Sequence, residues 1–212
     1  MSRRADWPVE LTWGELALRP LTRRDRAQWD EVRWANREWL GPWEATSPEP
    51  AEVLPSFAGF VRRQDREARE GRSLPWVITE RHPGSGRHDL VGQLSVSSIL
   101  GGAARSASIG YWVDGRCAGR GIAPMAVAMA VDHCFRVLRL HRIEINIRPG
   151  NAASLRIVEK LGFREEGLRR DYLHIAGSWA DHRSFALTAP EAPPEGLVAR
   201  FTGSDEPVRR VR

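Results

Sequence analysis

Lysine, cysteine and tyrosine are nearly missing from this chain: one Lys, two Cys and two Tyr stand among 212 residues. Cys117 and Cys134 cannot by themselves make a disulfide framework or a Cys-rich metal site. Long apolar runs are missing too. The longest, Ile122 to Val131, has the length of a buried helix and falls well short of a membrane crossing. The first residues, MSRRADWPVE, lack the apolar segment of a secretory signal. These absences predict a cytoplasmic protein with no metal and no membrane partner.

With so little lysine, the net charge of +5 is carried by arginine. The arginines alternate with acids, as in RRQDREAREGR at 62–72, the pattern of a solvated helix face. No basic stripe or nucleic-acid motif stands out, so direct nucleic-acid binding is not expected. An anionic ligand is compatible with the charge.

Strands and helices alternate along the chain. ELALRPL (15–21) reads as a strand, and Thr22 as the cap of a helix carrying Trp29, Val32, Trp39 and Leu40. GPW at 41–43 breaks that helix, and a second runs from about Pro50 to Arg69. Residues 74–80, 90–99 and 107–113 read as strands, the first two joined by the turn HPGSGRHD. A helix to about Leu138, a strand at 142–148, a short helix at 152–161 and strands through LRRDYLHI and RSFALT follow. Residues 1–189 read as one α/β domain. Residues 190–212, rich in Pro and charge, read as a poorly ordered tail.

The stretch RCAGRGIAPMAVAMAVDHC (116–134) places two glycines before an alanine-rich helix. A strand, a glycine loop and a helix N-terminus in succession can form an anion site, because free amides point outward and the helix dipole favours negative charge. Gly119 and Gly121 let backbone approach a phosphate, Pro124 has no amide to waste in the first turn, and Arg116 and Arg120 add charge at the rim. An ordinary tight strand-to-helix turn would use the same residues. A triphosphate P-loop is excluded because GxxxxGK[ST] is absent, and a dinucleotide fingerprint because Pro124 stands where its third glycine belongs.

Arg116-Cys-Ala-Gly119-Arg120-Gly121 resembles the R/Q-x-x-G-x-G/A signature of the GNAT N-acetyltransferases. RPGNAASLRIVEKLGFREEG resembles that family's second cofactor segment, with Asn151 and Ser154 in its N-x-x-S pattern. GYWVD, HRIE and DYLHIAGSWADH resemble the RimJ/RimL branch, which acetylates ribosomal-protein N-termini. The likeness runs from Leu16 to Thr188.

The resemblance implies a strongly twisted mixed sheet of about seven strands, flanked by about four helices. Two central parallel strands, 107–113 and 142–148, would splay apart. It implies acetyl-CoA as co-substrate, with the pantetheine arm against backbone at Tyr111 and Val113. The pyrophosphate would sit on the amides from Arg116 through Gly119, Arg120, Gly121, Ile122 and Ala123. Asn151 would bond the pantetheine and Ser154 would lie near the thioester sulfur.

Direct attack of an amine on a thioester needs no covalent enzyme intermediate, so positioning can supply much of the rate. The enzyme must still accept a proton, hydrogen-bond the leaving sulfur and polarise the carbonyl, the last through a backbone amide around Val113. Ser154 either donates to the sulfur or caps its helix. Asp171 resembles the acid that RimL-type enzymes place near the acceptor amine, or is a solvated loop acid. Glu144 either takes the proton or pairs with an arginine. The related RimI branch has its acid at the position matched by Asn146, which cannot accept a proton. Tyr172 is a possible acid or a packing residue, and His141, His174 and His182 are further candidates for the proton path. His133 reads as a core histidine, and Cys117 as no nucleophile. Trp39 and Trp43 read as walls of the acceptor groove.

The expected function is transfer of the acetyl group of acetyl-CoA to a primary amine, a protein or peptide N-terminus such as that of a ribosomal protein, by a monomer or homodimer. The alternatives are a small-molecule acetyltransferase acting on an aminoglycoside or polyamine, and a non-catalytic acyl-CoA-binding or ribosome-associated module.

Overall fold

Two hydrophobic periods, one helical and one alternating, become six α-helices and nine strands in the computed structural model, which describes residues 7–49, 55–82, 84, 86–204 and 206–211. The described chain opens with β1 (Glu10–Trp13) and β2 (Leu16–Pro20), followed by α1 (Arg26–Ala35), α2 (Arg37–Leu40) and α3 (Phe57–Arg69). An antiparallel meander follows: β3 (Leu74–Arg81), β4 (His88–Leu100) and β5 (Ser106–Val113). Then come α4 (Ile122–Arg136), β6 (Arg142–Ile147), α5 (Ala152–Lys160), β7 (Arg164–Ile175) and β8 (Ser178–Thr188). The short elements α6 (Leu197–Thr202) and β9 (Arg209–Val211) complete it.

The strands form one sheet in the order β7-β8-β6-β5-β4-β3-β2-β1-β9. Every neighbour is antiparallel except β5 and β6. That parallel pair is in register only from Ser106↔Arg142 to Ser108↔Glu144. Beyond it, β5 keeps its ladder with β4 as far as Val113, and β6 keeps its ladder with β8 as far as Ile147. The two strands therefore part, and a gap opens in the sheet between Ile109–Val113 and Ile145–Ile147.

Helix α4 packs against the sheet beside this gap. Its small side chains let it approach closely, and residues 125–131 are all buried. Within it, burial lowers the pKa of His133 to about 4 and raises that of the Cys134 thiol to about 12. His133 meets the Trp76 ring edge-on at 5.8 Å, a neutral core histidine as expected.

Described residues of the segment expected to be a tail pack against the domain. Leu197 and Val198 are buried against α4, where the Asp132 carboxylate accepts both of their amides, at 2.8 and 3.1 Å. Arg136 donates to the Pro194 carbonyl at 2.9 Å, and β9 pairs antiparallel with β1. Proline and charge dominate the composition of the segment, yet two apolar residues and one buried acid on α4 suffice to dock it. Its strand and β1 bring the sheet to nine strands where about seven were expected.

The helical region before β3 also differs from expectation. The span from Thr22 to Leu40 is a 3-10 turn at Arg23–Asp25 followed by α1 and α2, broken at Asn36. Thr22 is the N-cap of that turn as expected, and Asp25 closes a capping box, accepting the Thr22 amide at 2.7 Å and its hydroxyl at 2.8 Å. Asn36 is buried and bridges two elements: Nδ2 donates to the Val32 carbonyl at 2.9 Å, and Oδ1 accepts from the Gly115 amide at 2.8 Å. The next helix starts at Phe57, capped by Ser56; its expected start near Pro50 lies outside the described residues.

Candidate active site

The glycine loop meets the conditions of an anion cradle. Gly119 and Gly121 both adopt positive φ, +81° and +83°, and a Cβ built on either meets no protein atom within 4 Å. The amides of Gly119, Arg120, Gly121, Ile122 and Ala123 donate to no acceptor among the described residues. Five unpaired donors thus converge at the positive end of a 15-residue helix.

Both loop arginines are paired with carboxylates. Arg116 forks onto the buried Asp114, with contacts from 2.5 to 3.0 Å, and Arg120 reaches Glu80 at 2.7 Å. Burial raises the Asp114 carboxyl, but bonds from the Arg116 guanidinium and amide outweigh it and hold the group below its ordinary value. Arg116 therefore braces the loop from behind. Arg156 and Lys160 line the cavity in front of the cradle instead. Sequence reading missed them, although both follow Asn151 on α5 at near-helical spacing.

That cavity, of about 590 Å³, runs from the cradle past Val113 to Asn151 and Ser154. It adjoins a smaller one of about 260 Å³ inside the sheet gap, lined by Asn146, Asn151, Ser154 and His182. A third, of about 270 Å³, lies toward α1 and β4, and a fourth, of about 500 Å³, opens outward between Trp179, Asp181 and Arg148. Trp43 lines all four, and Tyr111 lines the first three. The segment carrying Trp43 is strapped across the gap: Arg148 donates to the Pro42 carbonyl at 2.7 Å, and the Thr46 amide donates to His174 at 2.8 Å. Of the two tryptophans expected at the groove, Trp43 faces all four cavities, while Trp39 packs over Gly115 and lines only the cavity in front of the cradle.

At the junction, Asn151 caps α5 by accepting the Ser154 amide at 3.1 Å, so the Ser154 hydroxyl is not the helix cap. Tyr111 has a phenol oxygen shut off from solvent and without a formed hydrogen bond. Burial pushes its pKa up to about 12, and the neighbouring Ser154 hydroxyl offsets part of that shift. Asn146 accepts from the Ser184 hydroxyl at 2.7 Å.

The two expected acids are not brought to this junction. Glu144 is divided between Arg142 at 2.8 Å and Arg169 at 2.9 Å, in the part of β6 still paired with β5. Asp171 is exposed, in a bulge of β7 with φ of +47°, and lines none of the four cavities. Among the described residues no cluster of His, Cys, Asp and Glu could hold a metal ion. No described helix is long and apolar enough to cross a membrane.

An open amide cradle, a long apolar cavity and a gap between parting strands fit acetyl-CoA, whose diphosphate, pantetheine arm and thioester need those features in that order. Residues 15–164 match the acetyltransferase (GNAT) domain. The chain is 40% identical to Mycobacterium smegmatis RimJ, solved in complex with CoA-disulfide, with a TM-score of 0.84 over 93% of this chain and 95% of that one. It is 27% identical to the Escherichia coli [ribosomal protein uS5]-alanine N-acetyltransferase, over 88% of this chain and 94% of that one. A probable N-acetyltransferase of Bacillus subtilis is 42% identical over 102 residues, a match that covers 48% of this chain and 56% of that protein. The chain belongs to the GNAT acetyltransferase family and is an acetyl-CoA-dependent N-acetyltransferase.

Proposed function

We propose that the acceptor is the N-terminal α-amine of a protein or peptide. The observation that carries this reading is the outward cavity of about 500 Å³, whose walls are Trp43, Trp179 and the Arg148–Gly150 turn, with Asp181 at its edge. Trp179 is 55% exposed there, so the groove is open enough to take a chain end. Its charge is balanced. Among the described residues Asp181 is the one carboxylate lining this groove, none lines the adjoining gap, and Arg148 lines both. A polyamine would require several acids where this site has one, beside a guanidinium. The names of the RimJ and uS5-alanine relatives agree with a protein acceptor.

Acetyl-CoA supplies the acetyl group as an activated thioester. The free amides of residues 119–123 would hold its diphosphate, with Arg156 and Lys160 adding positive charge. Asn151, Tyr111 and Val113 would flank the pantetheine arm. Ser154 would donate to the leaving sulfur, and the backbone at Val113, on the open edge of β5, would polarise the carbonyl. Incubation with acetyl-CoA and a panel of short peptides, polyamines and aminoglycosides, read by mass spectrometry, tests the assignment. Acetylation at peptide N-termini with small first residues supports it; far more efficient acetylation of a polyamine or aminoglycoside rejects it.

A further inference from the structure

With Glu144 locked between two arginines and Asp171 outside the cavities, the gap lacks the carboxylate that should receive the amine's proton. One imidazole does line it, beside the Tyr111 phenol and the Arg148 guanidinium. His182, on β8, is 3% exposed and faces the cavity between the parted strands together with Ser154 and Asn146.

Its ring orientation fixes the chemistry. Nδ1 lies 2.9 Å from the Ala180 carbonyl oxygen. A carbonyl can only accept, so Nδ1 must carry hydrogen, and the second nitrogen of the neutral ring, Nε2, is left with a lone pair. Nε2 forms no hydrogen bond with any described residue. The Tyr172 ring packs edge-on at 5.6 Å and holds the imidazole in place from β7.

We propose that His182 is the general base of the acetyl transfer, accepting the amine proton at Nε2 either directly or through one water. The proposal rests on acceptance of an amine in the gap but not on that amine belonging to a peptide. As the nitrogen bonds to the acetyl carbon and the carbon–sulfur bond breaks, the proton displaced from nitrogen passes to Nε2. The Ser154 hydroxyl donates a hydrogen bond to the leaving thiolate without giving up its proton. The imidazolium then returns its proton to solvent through the outer groove.

The surroundings agree with this role. Burial is the chief cause that keeps His182 below its ordinary pKa. The Nδ1 bond to Ala180 and the charge of Asp181 push the other way, and the guanidinium of Arg148 lowers it further. The other ionisable groups around the ring are the Tyr111 phenol and the Arg148 guanidinium lining the gap, the Tyr172 phenol packed on the imidazole from β7, and the neighbouring Asp181. The imidazole is therefore unprotonated at neutral pH and available as an acceptor. Asn146 also loses its anomaly: the strand needs no acid there if the neighbouring strand supplies the base.

The test compares wild type with His182→Gln and His182→Ala on whichever amine wild type acetylates best. Gln fills much of the volume of the imidazole with a neutral amide that cannot take up the proton. Expected are a kcat lower by about 100-fold or more, unchanged acetyl-CoA affinity by calorimetry, and partial recovery of the Ala variant by added imidazole. The wild-type kcat should fall as pH drops through the lowered pKa of His182, and that component of the acid limb should be missing from both variants. Wild-type kcat in His182→Gln overturns the proposal. So does a loss of kcat with an unaltered pH profile and no recovery by imidazole, which is the signature of a structural role. If wild type acetylates a polyamine but no peptide, the acceptor assignment fails while this comparison still decides the role of His182.

Discussion

Asn151 caps helix α5 through Ser154, its Oδ1 accepting the Ser154 amide at 3.1 Å. The cap uses the backbone of Ser154 and leaves its hydroxyl toward the cavity. Ser154→Ala should therefore keep the helix and lower turnover by about 10- to 100-fold with little change in acetyl-CoA affinity, because a donor to a developing thiolate acts mainly in the transition state. Calorimetry and steady-state kinetics on the same preparation check this. A drop in melting temperature with unchanged turnover would make the hydroxyl structural.

Gly121 begins α4 in the left-handed region, at φ of +83°. Valine there costs about 1–2 kcal/mol of backbone strain and projects into the space in front of the free amides. Gly14, with φ of +53° and equally open surroundings, provides the control in the β1–β2 turn. Both Gly→Val variants should lose comparable stability. Only Gly121→Val should lose acetyl-CoA binding in a calorimeter.

Arg116 and Asp114 should behave as a structural pair. Arg116→Ala strands a carboxylate that is 3% exposed, costing about 1–3 kcal/mol in the absence of any ligand. A pure phosphate-binding arginine would show no such loss. The Asp114 pKa is depressed on folding, so its stabilisation is complete above about pH 4 and disappears as pH falls through the folded value. Acid denaturation of wild type should therefore begin at higher apparent stability than that of Asp114→Asn, and the two curves should converge at low pH.

Leu197 anchors the C-terminal helix in the core at 1% exposure. Leu197→Ala should cost about 3 kcal/mol and lower the melting temperature by about 6–12 °C. A tail with no part in the domain would show no change in a thermal melt.

What was legible in the sequence follows from element length. Strands β3 to β6 and helices α4 and α5 are long enough for their hydrophobic periods to show, and glycines and Asn151 mark their ends. β1, β9 and α6 have four, three and six residues, too few for a period, and they are stabilised by partners distant in the chain. The same contrast holds at the site. The glycine loop is contiguous, so its motif was readable, whereas the proposed base depends on which strand faces the gap. Glu144 is paired with Arg169, 25 residues away, and His182 reaches the gap only because β8 pairs along the whole of β6.

Asp171 and Asp181 separate the two positions from which a carboxylate could attract a protonated amine. Asp171 lies in an exposed bulge where its positive φ suits asparagine equally well, so Asp171→Asn should behave like wild type. Asp181 lines the outer groove, and its Oδ1 accepts the Asp171 amide at 2.9 Å, a bond that asparagine can keep. Asp181→Asn should therefore preserve the fold while raising the acceptor KM several-fold, an effect that shrinks as salt screens the charge. Its negative charge also favours protonation of His182, so removing it should shift the acid limb of kcat to lower pH. Kinetics of both variants at two ionic strengths distinguish the positions. A raised KM in Asp171→Asn with an unaltered Asp181→Asn would return the acceptor-side charge to the β7 bulge.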